Sequence, residues 1–334
     1  MPRPNEKKEE QPQEEEKNTI TPQEFDIRRF GIRHNKRTDS KQKQEMNFPK
    51  YYYGKEDNPT KEMIEKKGKP LVVVTDDIKI TRGGIPQYSE EADEKKDGPD
   101  HANRAYFYLP VDGEGEGPAA LKKMIEQIDE YMTSKINEDG NKDGILAYEH
   151  EGKSVPYDKL FYSEMMTESS GENIPDEKKK AEYVPYQRIK VKLATEYEPE
   201  KQSKDAKITM ALYVGEDAEE PVEAEKVSDV EKYLKWGCTG KFAIGLNKVW
   251  ISKAIDPALK KRKCGIVMKC HQVCITEEAK SQKSEKTNFN RNLFSAKKPK
   301  SATTKPSVTK TDDKEGEKKG NKKEEKKDTC LLYT

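Results

Sequence analysis

The sequence is poor in the residues that build large cores and in those that carry out chemistry. Hydrophobic residues occupy only 31% of its 334 positions, against 38% charged. That ratio is too polar for one globular unit of this length, so part of the chain is expected to stay disordered. No stretch approaches 18 consecutive apolar residues, which excludes a membrane-spanning helix of the ordinary kind. The first 18 residues are dominated by Glu, Lys, Gln and Pro, so no secretory signal is expected there. The five cysteines are then expected as free thiols in a reducing compartment. Cys330 stands fifth from the C-terminus, one place off the position that prenylation requires.

Catalytic constellations are missing as well. There are four histidines: His34 lies in a basic segment, and His101 and His150 lie in or near polar stretches. No Gly-rich phosphate loop followed by Lys-Ser/Thr is present, and Arg82-Gly83-Gly84 reads as a turn. Acidic runs such as Glu90-Glu91-Ala92-Asp93-Glu94 read as solvated surface. Asp139 to Gly144 lacks the spaced ligands and terminal Glu of a calcium loop. The sharpest metal candidate is Cys264, Cys270, His271 and Cys274, since thiolate and imidazole suit zinc. An extended strand would point His271 away from the cysteines, and no Cys-x-x-Cys knuckle is present. Small buried core cysteines are the plainer reading. The expectation is a protein without catalysis, metal or cofactor.

The net charge of +1 conceals an uneven distribution. From Lys280 onward there are 16 basic and 8 acidic residues, giving that segment +8. Residues 1–18 carry 4 basic and 6 acidic residues, or −2, which leaves −5 for the middle. Three segments follow. Residues 1–49 read as a disordered N-terminal tail. It contains a basic-aromatic arm, in which Phe25, Ile27, Phe30 and Ile32 sit among Arg28, Arg29, Arg33, His34, Lys36 and Arg37. Residues 50–278 read as a β-rich domain, and 279–334 as a disordered basic C-terminal tail. That tail includes the short apolar element Phe289, Leu293 and Phe294.

Within the domain, Leu71 to Val74 is a buried-strand run continued through Ile78 and Ile80. Alternation marks Arg104 to Val111, Val184 to Leu193 and Ile208 to Val214. Short strands are expected near 145–148 and 160–162, and two longer ones at 241–251 and 265–275. Apolar residues at Leu121, Met124, Ile125, Ile128, Tyr131 and Met132 predict a helix over 119–136. Ser228 and Glu231 suggest a capping box opening a short helix that Gly237 ends. The fold class expected is mainly β, an OB-like Greek-key barrel or sandwich with two short helices, flanked by disordered tails.

Two strands combine one apolar face with one basic-aromatic face. Arg104, Tyr106 and Tyr108 share a face in one, and Tyr186, Arg188, Lys190 and Lys192 in the other. Single-strand binders pair a basic groove with aromatic rings on which bases stack. The alternative is an ordinary solvated face that tolerates Tyr. Trp236, Lys241 and Lys248 complete the candidate nucleic-acid set. Trp250 shares strand parity with Phe242, Ile244 and Leu246, which predicts core packing. Small residues Ala243 and Gly245 opposite them would let a ligand approach closely.

Lys232 to Ile275 reads KYLKWGCTGKFAIGLNKVW and then KCGIVMKCHQVCI. This resembles the C-terminal strands of single-stranded DNA-binding proteins of nucleo-cytoplasmic large DNA viruses. The resemblance implies an OB-like barrel that coats displaced strands in viral DNA replication, recombination and repair. It also implies a host-cytoplasmic replication site and packaging in the virion, with the nucleus as the alternative location. Single-stranded DNA is the implied partner, RNA the alternative. Replication proteins and self-association are further candidates, and no membrane is expected. Many such binders end in an acidic tail that recruits partners, and the net basic tail here departs from that pattern. A virion or scaffold protein that binds other proteins through the β-domain is the competing reading, and an enzyme with an unrecognised site is the third.

Overall fold

A long β-hairpin forms the spine of the molecule. In the computed structural model its strands are β13, Thr239–Ile251, and β14, Arg262–Glu277. The structure describes residues 18–36, 45–86, 88, 98–147, 149–150, 153–154, 159–170, 182–196 and 204–279. All of these lie within one unit, Met1–Ser281. Of the expected tails, 1–49 and 279–334, residues 1–17, 37–44 and 280–334 fall outside the described residues.

In chain order the remaining strands are β1 Phe30–Lys36, β2 Glu45–Tyr51, β3 Lys69–Pro70, β4 Val72–Val74, β5 Ile78–Lys79 and β6 Tyr106–Pro110. They continue with β7 Glu149–His150, β8 Lys153–Ser154, β9 Leu160–Tyr162, β10 Met166–Glu168, β11 Gln187–Leu193 and β12 Ala211–Val214. Among the described residues three α-helices accompany them: α1 Lys61–Lys67, α2 Glu116–Thr133 and α3 Val227–Glu231. Twelve strands form one branched sheet, and β7 and β8 pair separately. The free edge of β13 serves β5, β4 and β2 in turn along its length. The free edge of β14 likewise serves β9, β11 and β12, all parallel to it. Beyond β11 lie β6 and β10. The mainly β expectation holds, and the sheet is consistent with an OB-like β domain.

Alternation explains which way each strand faces. On β11, Ile189, Val191 and Leu193 are buried while Lys190 and Lys192 are exposed. On β6, Phe107 and Leu109 are buried while Tyr106 and Tyr108 are half-buried. The buried sides merge into one core with α2, whose Leu121, Met124, Ile125, Ile128 and Met132 match the predicted helical spacing.

Several expectations are corrected. Two strands, β1 and β2, already begin before residue 50, within the segment expected to be a tail. The basic-aromatic arm enters the sheet as β1, with Phe30 and Ile32 buried, because its apolar residues need a core that the charged tail alone cannot supply. α2 runs 18 residues, starts three residues early and continues into a π-turn at Ser134–Glu138, so it is not short. α3 is N-capped at Lys226: Asp229 accepts from the Lys226 N–H, and Glu231 turns instead to Arg104. α1 was not expected. Its Thr60 cap accepts from the Met63 N–H, and Ile64 packs over Gly31, where a Cβ would lie 2.9 Å from Ile64 Cγ2. No helix among the described residues is long and apolar enough to cross a membrane.

The junction of α2 with β9 and β10 depends on one buried carboxylate. Asp129 accepts from Tyr162 Oη at 2.7 Å and from the N–H groups of Met165 and Met166 at 3.0 and 3.1 Å. Burial raises the Asp129 pKa, against the opposing pull of these donors. An Asp129→Ala substitution leaves three donors without an acceptor, at about 1–3 kcal/mol each. We expect a loss of about 3 kcal/mol or more by urea denaturation, with Asp129→Asn intermediate because one carboxamide oxygen still accepts.

Candidate nucleic-acid interface

A continuous cross-strand row crosses the sheet, open from Tyr106 to Lys269 and covered at Gly245, which is buried with the His271 ring packed over it. Tyr106 on β6 lies opposite Lys192 on β11. Lys192 lies beside Lys269 on β14, Lys269 opposite Gly245 on β13, and Gly245 opposite Val72 on β4. Neighbouring strands are about 4.8 Å apart, so the row crosses roughly 19 Å of sheet. A second row at the β6–β11 pair adds Tyr108 and Lys190.

Cations and rings interleave at this end. The Arg188 guanidinium lies 3.8 Å from the centre of the Tyr108 ring, and the Lys190 ammonium 3.7 Å from that of Tyr106. The two tyrosine rings meet edge to face at 5.4 Å. Each cation thus sits diagonally across the ladder on a ring it helps to hold in place. Arg188 Nε is buried and has no hydrogen-bond partner among the described residues.

A cleft of about 360 Å³ opens beside these rings, lined in part by Tyr106, Tyr108, Arg188 and Trp236. Its floor is the Gly83-Gly84 turn, which bridges to Tyr108 through paired backbone hydrogen bonds at 3.1 Å. Both glycines have positive φ, and a Cβ on Gly83 would lie 2.9 Å from the Tyr108 carbonyl oxygen. Only glycine permits that approach. Trp236 is 59% exposed, with its indole N–H donating to the Thr81 carbonyl. Its position after α3 brings it to the tyrosines although it is about 130 residues away in sequence.

The lysines of the row raise one another's cost of ionisation. Partial desolvation of its amine, which lies against the Tyr106 ring, and then Lys192 hold the otherwise exposed Lys190 below its usual range. Burial, then Lys248 and Lys192, do the same at Lys269. Among the described residues no carboxylate pairs with Arg188, Lys190, Lys192, Lys248 or Lys269. The face is therefore a patch of uncompensated positive charge broken by aromatic rings.

The structure gathers Tyr106, Tyr108, Arg188, Lys190, Lys192 and Trp236, and it places Lys248 near them through Lys269. It separates three other residues picked out in the sequence. Arg104 precedes β6 in a 3-10 turn, is buried, and donates to the carbonyls of Pro86 and Pro99 and to Glu231 at 2.8 Å. Strand parity fails there because the strand begins only at Tyr106. Lys241 pairs with Glu216 at 3.3 Å and Asp77 at 3.9 Å, so its charge is neutralised locally. Tyr186 is 5% exposed and lies between Arg82 and Arg188, at 5.5 and 5.8 Å. It supports the two cations and presents no open face. Lys269 escaped the sequence reading, although its alternation with buried Met268 and Cys270 was the available signal.

The metal candidate dissolves in the same way. Cys264 and Cys270 face the core, where burial pushes the Cys264 thiol up to about 12, and His271 is exposed on the other side. No group of three or more potential metal ligands occurs among the described residues.

The chain matches no family model and no curated protein. Among solved structures it is similar to the single-stranded DNA-binding protein of bacteriophage Enc34 in complex with single-stranded DNA. That match is 15% identical and covers 63% of this chain and 89% of that chain, with a TM-score of 0.28. It is also similar to gp2.5, a single-stranded DNA-binding protein encoded by bacteriophage T7. Here the identity is 11%, over 69% of this chain and 100% of that one, with a TM-score of 0.29. Overlaps this loose carry no inference about ligand.

Arg104 provides a control for the interface. An Arg104→Ala substitution should destabilise the fold by about 2–3 kcal/mol, the range for hydrogen bonds to a buried charge. In chemical denaturation the midpoint should drop, while ligand affinity of the folded Arg104→Ala, Glu231→Gln double variant, which leaves no unpaired carboxylate in the cleft, stays at the wild-type value.

Proposed function

We propose that this protein binds single-stranded DNA without sequence preference and without catalysis. The observation that carries the reading is the pairing of Arg188 with Tyr108 and Lys190 with Tyr106 on an outward sheet face where, among the described residues, no carboxylate pairs with either cation. Phosphates would relieve the repulsion among Lys190, Lys192 and Lys269, and bases would stack on the exposed parts of Tyr106, Tyr108 and Trp236. An open sheet face suits a flexible strand better than a duplex, because unpaired bases can turn their rings onto it. The finer assignment, from the resemblance of Lys232–Ile275, is a large-DNA-virus protein that coats strands during replication, recombination and repair in the host cytoplasm.

Fluorescence anisotropy with labelled oligothymidylate and duplex across a salt series tests this. Single strands should bind far more tightly than duplex. Replacing Tyr106 and Tyr108 by Ala should cost about 1–3 kcal/mol for each stacked base and leave the salt slope nearly unchanged. Replacing Lys190 and Lys192 by Ala should lower the slope by about 0.7 for each phosphate no longer neutralised. Equal affinity for both forms, or affinity indifferent to both pairs of substitutions, would reject the assignment.

The lysine pKa values add a pH dependence. Bound phosphates would raise the depressed amine pKa values of Lys190 and Lys269, so binding takes up protons once these amines begin to deprotonate in the free protein. Affinity should therefore fall as pH rises through the lowered lysine range. In the Lys190→Arg, Lys269→Arg double variant the loss should move to higher pH.

A further inference from the structure

The strand parity of Trp250 is reversed by a bulge. Leu246 pairs with Met268 but Lys248 pairs with Val267, so Asn247 is an extra residue on β13. Before it, Phe242, Ile244 and Leu246 are buried; after it, Val249 is buried while Lys248 and Trp250 are exposed. One inserted residue has moved the end of the strand to the opposite face. Trp250 thus joins the outward side that carries Lys269.

Its ring lies against a glycine. Trp250 pairs with Gly265, and a Cβ there would fall 2.9–3.0 Å from three indole atoms. The indole is held close to the Gly265 backbone, yet Trp250 remains 38% exposed. The register at Val249 and Asn47 sets Lys248 beside Phe48 and Trp250 beside Met46 on β2. Arg33 follows opposite Phe48 on β1. A ring backed by a glycine, flanked by Lys248 and Phe48, has the features of a second base-stacking platform.

The geometry points to a single-stranded DNA path that runs from the Tyr106–Tyr108–Trp236 cluster across Lys192, Lys269 and Lys248 to a second stacking platform at Trp250. This rests on the proposed binding of single-stranded DNA and adds its course and far end. Three strand steps and four residues of β14 separate Tyr106 from Trp250, giving roughly 20 Å at ordinary sheet spacings. Short oligonucleotides would fill the tyrosine end alone, and longer ones would reach both.

Trp236 and Trp250 are the only tryptophans, which makes the test direct. In a full-length Trp236→Phe variant, Trp250 is the sole indole fluorophore. Saturating long oligothymidylate should quench it, and a short oligonucleotide should quench it much less. Trp250→Ala should weaken the long oligonucleotide by about fivefold to a hundredfold, the range for removal of one stack, with little change for the short one. Trp250→Phe should restore most of the affinity, and a matched urea midpoint would exclude unfolding as the cause. If single-stranded DNA binds but neither Trp250 emission nor the Trp250→Ala affinity changes at either length, the second platform is wrong and the proposed function stands. If wild-type protein does not prefer single strands, both fall.

Discussion

The β13–β14 hairpin supplies the backbone hydrogen bonds on which the shorter strands of the sheet depend. Strands of two or three residues, such as β4, β5 and β9, cannot persist alone. Each finds a partner on the outer edge of one of the two hairpin strands, β4 and β5 on β13 and β9 on β14. The hairpin also fixes the orientation of the face, because the side chains of every neighbour take their register from it. Its irregularities at Asn247 and His271 are therefore features of the whole surface. Each lets the core side stay apolar while the outward side changes character along the strand.

The face is cationic even though the middle of the chain is mildly acidic overall. Alternation explains this, since it turns Lys190 and Lys192 of β11 and Lys263 and Lys269 of β14 outward while their neighbours Ile189, Val191, Met268 and Cys270 enter the core. The carboxylates of Asp77 and Glu216 lie at the other end of β13, where they neutralise Lys241. Net charge thus says little about the local field, which is set by the few charges the sheet places side by side. Self-repulsion among Lys192, Lys248 and Lys269 is a cost in the free protein that a polyanion would remove. Carboxylates elsewhere have a structural role: the buried Asp129 satisfies the N–H groups where β10 begins, and the partly exposed Glu231 holds Arg104 beside the cleft.

Much of this was legible in the sequence. Alternation alone placed Tyr106, Tyr108, Lys190 and Lys192 on polar faces, because side chains in a strand must alternate whatever the strand pairs with. Helical spacing located α2, and the runs at 241–251 and 265–275 marked the hairpin. Arg104 and Trp250 were misread because parity holds only inside an unbroken strand. A 3-10 turn ends it for the first, and a bulge shifts it for the second. The role of the arm depended on a partner strand that follows it, and α1 on a glycine across the sheet at Gly31.

By itself the sequence determined the β-rich class, the charged terminal segments, and which side chains share a face within each strand. These follow from local geometry and composition. Only the tertiary structure decided which faces adjoin. Trp236 lines one cleft with Tyr106 and Tyr108, and Lys192 pairs in register with Lys269, across separations of tens to more than a hundred residues. It likewise decided that Arg104, Tyr186 and Lys241 are committed to internal contacts. Cross-strand register and bulge position set those distances, and both arise from pairing between segments that carry no mark of each other in the chain.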